Sequence, residues 1–113
     1  MKLVERASGR VIAETVELAD TFLSRAKGLL FRTGIPRTHA LVLFRTNSIH
    51  MFLMLFTIDV VFLDRDRRVV ALHPRRRPFS FPVGAWSGEY AVEMADGRIG
   101  ETGVQVGDLL AWD

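Results

Sequence analysis

Apolar residues along the chain come in short runs separated by polar or glycine-bearing breaks. Leu3-Val4 and Val11-Ile12-Ala13 flank Ser8-Gly9-Arg10, and a glycine that accepts positive φ between two apolar runs predicts a hairpin. Asp20-Thr21 can cap a short helix over Phe22 to Lys27, with Phe22, Leu23 and Ala26 as a narrow apolar face and Gly28 as its stop. Gly34-Ile35-Pro36 predicts a turn or loop, and Ala40 to Phe44 a strand. Arg45 to Ser48 reads as loop. Ile49 to Leu55 and Ile58 to Leu63 follow as two more strands.

Asp64-Arg65-Asp66-Arg67 is a charged turn, since Asp side chains can bond their own backbone. Arg68 to His73 completes that hairpin. Pro74 to Pro82 holds three of the four prolines and the run Arg75-Arg76-Arg77, which predicts an irregular exposed loop. Glu89 to Ala95 and Asp108 to Trp112 are the last strands. Gly97, Gly100, Gly103 and Gly107 between them read as turn residues. Seven or eight short strands at close spacing predict a mainly β fold, a small sandwich or barrel with one or two short helices. No repeat, low-complexity tract or linker interrupts residues 1–113, so a single domain is expected.

Composition narrows the chemistry. With 49% hydrophobic and 25% charged residues the chain is not of the disordered or collagen-like class. A chain of 113 residues buries roughly two-thirds of its unfolded surface, enough for one core. The absence of cysteine excludes disulfides, thiolate nucleophiles and Cys-based metal sites. The only lysines are Lys2 and Lys27, and no Walker motif surrounds them. The pI of 9.7 accompanies a formal charge of only +2, because few groups titrate just above neutrality. The N-terminus has no secretory-type apolar core. Ile49 to Leu63 is too short, and too interrupted by His50 and Asp59, to span a bilayer. A soluble, cytoplasmic protein is expected.

Four blocks resemble the family named domain of unknown function 192. Arg25-Ala26-Lys27-Gly28-Leu29-Leu30-Phe31-Arg32 resembles its signature, in which relatives usually have Gly-Leu-Met. Asn47-Ser48-Ile49-His50-Met51-Phe52-Leu53-Met54, followed by Phe56 to Asp64, resembles its most specific part. This chain has Thr57 where many relatives have Pro, and Leu55 where they have a polar or basic residue. Val92-Glu93-Met94 and Val106-Gly107-Asp108 resemble its later strand and closing turn. The resemblance runs from about Val11 to Leu110. It implies a small jelly-roll-like sandwich and no particular reaction, since the family has none established. Some relatives carry export signals; none is expected here.

The candidate site residues are ionisable groups in apolar surroundings. His50 and Asp59 each sit inside a predicted strand, where an unpaired charge is costly, so each needs a partner or a cavity. They are candidates for a binding pair or, in an enzyme, for a general base (His50) oriented by a carboxylate (Asp59). The structural alternative is a carboxylate or imidazole that satisfies backbone amides. Arg32 can offer a guanidinium fork to an anionic ligand, with Glu93 nearby and Asn47 as a weaker candidate. The plainer alternative pairs Arg32 or Arg25 with Glu93 or Asp59. His39, His50 and His73 lack metal-ligand spacing, so no metal and no cofactor is expected. Gly84-Ala85-Trp86-Ser87-Gly88 is not a nucleophile elbow. Arg75, Arg76 and Arg77 near Phe79, Phe81 and Trp86 are the only pattern suited to nucleic acid, and a solvated loop beside a sheet edge explains them as well. The reading favoured by these residues is a binding or interaction module for a small ligand or protein. A hydrolase using His50 and weak nucleic-acid binding are the alternatives.

Overall fold

The computed structural model describes residues 1–30, 32–52 and 54–112. Phe31, Leu53, Asp113 and the Phe22 side chain lie outside the described residues. The Phe22 part of the expected helix face, and two positions of the family blocks, therefore go without description. The fold is mainly β with two short helices, and its three sheets do not close into a barrel. The sandwich form of the expected fold class stands, and the barrel form does not.

Three short strands, β1 (Leu3–Glu5), β2 (Val11–Ala13) and the C-terminal β10 (Leu110–Trp112), make one antiparallel sheet in the order β10-β1-β2. The larger sheet contains β3 (Thr15–Ala19), β4 (His39–Phe44), β9 (Tyr90–Ala95), β6 (Ile58–Leu63) and β7 (Val69–Arg76), in that order. Its β3–β4 pair is parallel, and the other pairs are antiparallel. A parallel pair needs a crossover, commonly through a helix. Residues 20–38 supply it, with α1 (Phe22–Lys27) at its start. A two-rung ladder joins β5 (Ser48–Ile49) to β8 (Val83–Gly84).

Strand alternation sorts the core into two clusters. Val42, Val61, Leu63, Val92 and Met94 point from the large sheet toward the small one, where Leu3, Ile12, Leu110 and Trp112 meet them. Leu41, Leu43, Ile58, Val60, Phe62 and Ala91 point the other way. There Leu29, Ile49, Met51, Met54 and Val83 form a cover made of helix end, loops and the small ladder. Strand β6 is buried at all six positions because it is central and covered on both faces. Its near-continuous apolar run follows from that.

The hairpin around Gly9, the helix stopping at Gly28 and the Asp64 turn form as expected. The Thr21 hydroxyl accepts from the Ser24 amide at 3.1 Å, and the Ser24 hydroxyl accepts from the Thr21 amide at 3.0 Å. Together they make a capping box. Asp64 Oδ1 accepts from the Asp66 and Arg68 amides.

Three expectations need correction. Ile49 to Leu55 is not a strand: only Ser48–Ile49 pairs, and the Met54 amide then donates to the Met51 carbonyl at 3.3 Å. Met51 and Met54 are buried while Phe52 and Leu55 are exposed, a spacing of three that fits a turn and not alternation. Strand β7 runs through Pro74 to Arg76, into the region expected to be loop. It is an edge strand, where proline's missing amide costs no pairing. The glycine-punctuated segment contains α2 (Arg98–Thr102), bounded by Gly97 at φ 89° and Gly103 at φ 71°. Strands β3 and β8 were not anticipated. No helix among the described residues is long and apolar enough to cross a membrane.

Candidate functional site

Two carboxylates are buried in the large sheet on adjacent strands. Asp59 on β6 is fully buried, and Glu93 on β9 is 3% exposed. In the ladder Asp59 faces Met94, and Glu93 faces Val60. Alternation therefore sends the two side chains to opposite faces of the sheet.

Asp59 is occupied by backbone. Its Oδ1 accepts from the Arg75 amide at 3.0 Å and the Gly97 amide at 3.1 Å, and its Oδ2 accepts from the Ile99 amide at 2.7 Å. The β6–β7 register slips between Ile58 and Val60, so Pro74 and Arg75 bulge opposite Asp59. Arg75 sits there at φ 54°, its amide turned to the carboxylate. Gly97 and Ile99 begin α2, whose own first amides have no partner within the helix. One side chain thus ties the bulge of β7 to the start of α2.

Glu93 faces a pocket instead. The cavity of about 240 Å³ is lined by the end of α1 through Leu30, by Ser48, Ile49, His50 and Met54, and by Leu43 beside Glu93. Gly28 closes over the carboxylate: a β-carbon there would stand 3.4 Å from Glu93 Oε1 and 3.8 Å from a Leu43 methyl. Its φ of 46° is also one that side-chain-bearing residues rarely adopt. Among the described residues no donor lies within hydrogen-bond distance of the Glu93 carboxylate. Burial pushes its pKa up to about 7, with the Arg32 guanidinium pulling weakly the other way. At neutral pH the group can therefore be present in both protonation states.

The remaining candidates divide. His50 follows β5 directly and is exposed at the pocket. It lies with Glu93, not with Asp59. Arg25 also lines the pocket, with Nε 3.3 Å from the Thr21 carbonyl and Nη1 3.4 Å from the Arg45 carbonyl. Arg32 pairs with neither Glu93 nor Asp59. Its guanidinium forms a two-pronged pair with Glu17 on β3, at 3.1 and 3.0 Å. This pair raises the Arg32 pKa and lowers that of Glu17, and Arg32 reaches Glu93 only through its field. Asn47 is exposed outside this pocket, its carbonyl accepting from the Ala85 amide at 3.0 Å. Arg75 lies 3.6 Å from Asp96, Arg76 ends β7, and Arg77 is exposed, its carbonyl accepting from Ser80. No group of three metal-binding side chains gathers among the described residues.

The sequence-based set missed Gly28, Ser48 and Met54 as pocket residues. The signal for Gly28 was present but had been assigned to stopping a helix. Nothing in the sequence showed that the same missing side chain leaves room for a carboxylate on a distant strand. Chemically, the pocket combines apolar walls, a carboxyl that can give or take a proton near pH 7, and an imidazole beside it.

Residues 3–112 match the family model DUF192, described as "Uncharacterized ACR". The chain is 38% identical over 117 residues to a UPF0127 protein of Thermococcus sibiricus, covering 98% of this chain and 74% of that protein. It is 40% identical to a UPF0127 protein of Thermococcus gammatolerans with the same coverage. Among solved structures, a protein of unknown function from Novosphingobium aromaticivorans superposes with a TM-score of 0.84 at 25% identity, over 98% of this chain and 82% of that one. A Sinorhizobium meliloti protein described as a candidate transcription regulator superposes with a TM-score of 0.83 at 25% identity, over 97% of this chain and 89% of that one.

Proposed function

The chain belongs to the uncharacterised DUF192 family, and from that premise we propose that it is a small-ligand-binding module whose site is the Glu93–His50 pocket. The observation that supports this reading is a carboxylate 3% exposed on a central strand, facing a cavity and lacking a donor among the described residues. A carboxylate held away from bulk water is an acceptor that a ligand N–H or O–H entering the cavity can meet. The volume is below the roughly 300–1,000 Å³ of drug-sized sites, so the ligand is small, or only one end of it enters. Leu43, Ile49 and Met54 supply apolar contact, Glu93 fixes a donor at the base, and His50 and Arg25 act at the rim. Arg32 contributes at a distance. Asp59 serves by holding β6, β7 and α2 together, and Asn47 has no part in the pocket.

The test is a ligand-observed NMR screen of amino acids, sugars and small carboxylic acids at pH 7, run on the wild type and Glu93→Gln. At least one compound should bind the wild type and lose tenfold or more in affinity in the variant. Hits that ignore Glu93→Gln, or a screen without hits, would refute the reading.

A hydrolytic reading has one specific observation in its favour. A carboxyl with a pKa near 7 beside an exposed imidazole suits proton transfer at neutral pH, with Glu93 in the part first given to Asp59. Turnover of any bound ester or amide, abolished by both Glu93→Gln and His50→Ala, would favour it over simple binding.

A further inference from the structure

The small net charge conceals a strong asymmetry. Residues 21–58 contain no Asp or Glu, and neither do residues 67–88. These stretches supply the layer that covers the pocket face of the large sheet: α1 and the turns after it, the segment around β5, and the segment around β8. Asp20, Asp59, Asp66 and Glu89 border them; of the carboxylates on the covered sheet face, Glu93 is buried and Glu17 is paired with Arg32. On the layer itself Lys27, Arg45 and Arg77 are exposed, and Arg25 is partly so.

The exposed large apolar side chains collect on the same layer. Leu23, Phe52, Leu55, Phe79, Phe81 and Trp86 belong to it, whereas Met1, Leu18 and Val106 are those elsewhere among the described residues. Phe81 is 86% exposed. Phe52 and Phe79 touch edge to face with centroids 5.6 Å apart, and the Phe79 amide donates to the Met51 carbonyl at 2.8 Å. The two loops are therefore held as one projecting unit beside the β5–β8 ladder.

We infer that this layer docks on an anionic phospholipid surface. Apolar side chains projecting amid cations, from segments that contain no acid, match a membrane interface, where apolar insertion and attraction to negative headgroups act together. Single-stranded nucleic acid would use the same cations and stack on the rings. It would gain nothing from the exposed aliphatic side chains of Leu23 and Leu55, which have no face to stack. The lipid surface is therefore the better match. This inference does not depend on the pocket having a ligand.

The test is cosedimentation of the full chain with vesicles of phosphatidylcholine alone, or with about 30 mol% phosphatidylserine, at physiological salt. The wild type should pellet with the anionic vesicles and much less with the neutral ones. Binding should fall at least tenfold in the Phe52→Ser/Phe81→Ser double variant and in Arg77→Glu. Arg77→Glu keeps the test decisive if the double variant does not fold. Three results would overturn the inference: no enrichment on anionic vesicles, binding that ignores both variants, or binding of a single-stranded oligonucleotide that the vesicles fail to displace.

Discussion

Asp59 and Glu93 are both acids flanked by apolar residues in buried central strands, one ladder step apart, yet they have opposite fates. Asp59 looks toward the small sheet and accepts from three backbone amides. Glu93 looks toward the cover layer and faces a cavity. Burial alone therefore does not mark function. The sheet face decides, because on one face backbone amides arrive to meet the carboxylate and on the other α1 and Gly28 leave space. A buried acid that organises its surroundings stabilises the fold, whereas one left facing a cavity is a cost the fold retains.

Substitutions should separate the two. Asp59→Ala has the largest expected effect, because it removes the acceptor for three amides at once. Loss of a buried charged partner costs about 3–5 kcal/mol, so the variant should be strongly destabilised or fail to fold. Urea unfolding measures it, and a loss below about 1 kcal/mol would erase the contrast with Glu93.

Glu93→Gln should do the reverse, and with a pH dependence. The folded pKa of Glu93 is about 7, above the unfolded carboxyl value of 4.5. Below pH 4.5 the group is neutral in both states and its burial is not penalised. As pH rises from 4.5 to 7 the unfolded chain ionises first, so stability is lost, and above 7 the loss is complete. The loss amounts to about 3 kcal/mol. Glu93→Gln should therefore be more stable than the wild type by about that amount at pH 8 and nearly equal at pH 4. Unfolding curves at the two pH values check this.

Gly28→Ala comes next. At φ 46° a side-chain-bearing residue is strained by about 1–3 kcal/mol, and the added β-carbon would fill space in van der Waals contact with Glu93 Oε1 and Leu43. Stability should fall by that amount, and ligand affinity should fall with it as the pocket narrows. His50→Ala has the smallest expected effect on stability, within about 0.5 kcal/mol, because the side chain is exposed. Any larger change in binding than in stability would then assign His50 to the pocket, and calorimetry with a ligand from the screen measures it.

Local patterning made much of this legible. Alternation and turn chemistry located the hairpin at Gly9, the capped helix ending at Gly28, and the strands within β4, β6 and β9. The apolar run after Ile49 misled because methionines three apart in a turn resemble a strand when only hydrophobicity is considered. Helix α2 was hidden because five residues carry little periodicity, and its first amides are met by Asp59, about forty residues earlier in the chain. The site was half visible. His50 and Asp59 stood out as ionisable groups among apolar neighbours, and Glu93 entered only as a neighbour of Arg32, but no local signal could tell which strand faces match. Asp59 therefore looked like the natural partner of His50. The Arg32–Glu17 pair was equally hidden, since it depends on the parallel crossover that brings β3 beside the loop after α1.

The contrast between the two acids is tested most directly by following the Glu93 side-chain carboxyl by carbon NMR from pH 3 to pH 9. A midpoint near 7 is expected, well above the ordinary carboxyl value. A midpoint near 4.5 would mean that Glu93 is solvated or paired like any surface acid, and the distinction drawn between it and Asp59 would fail.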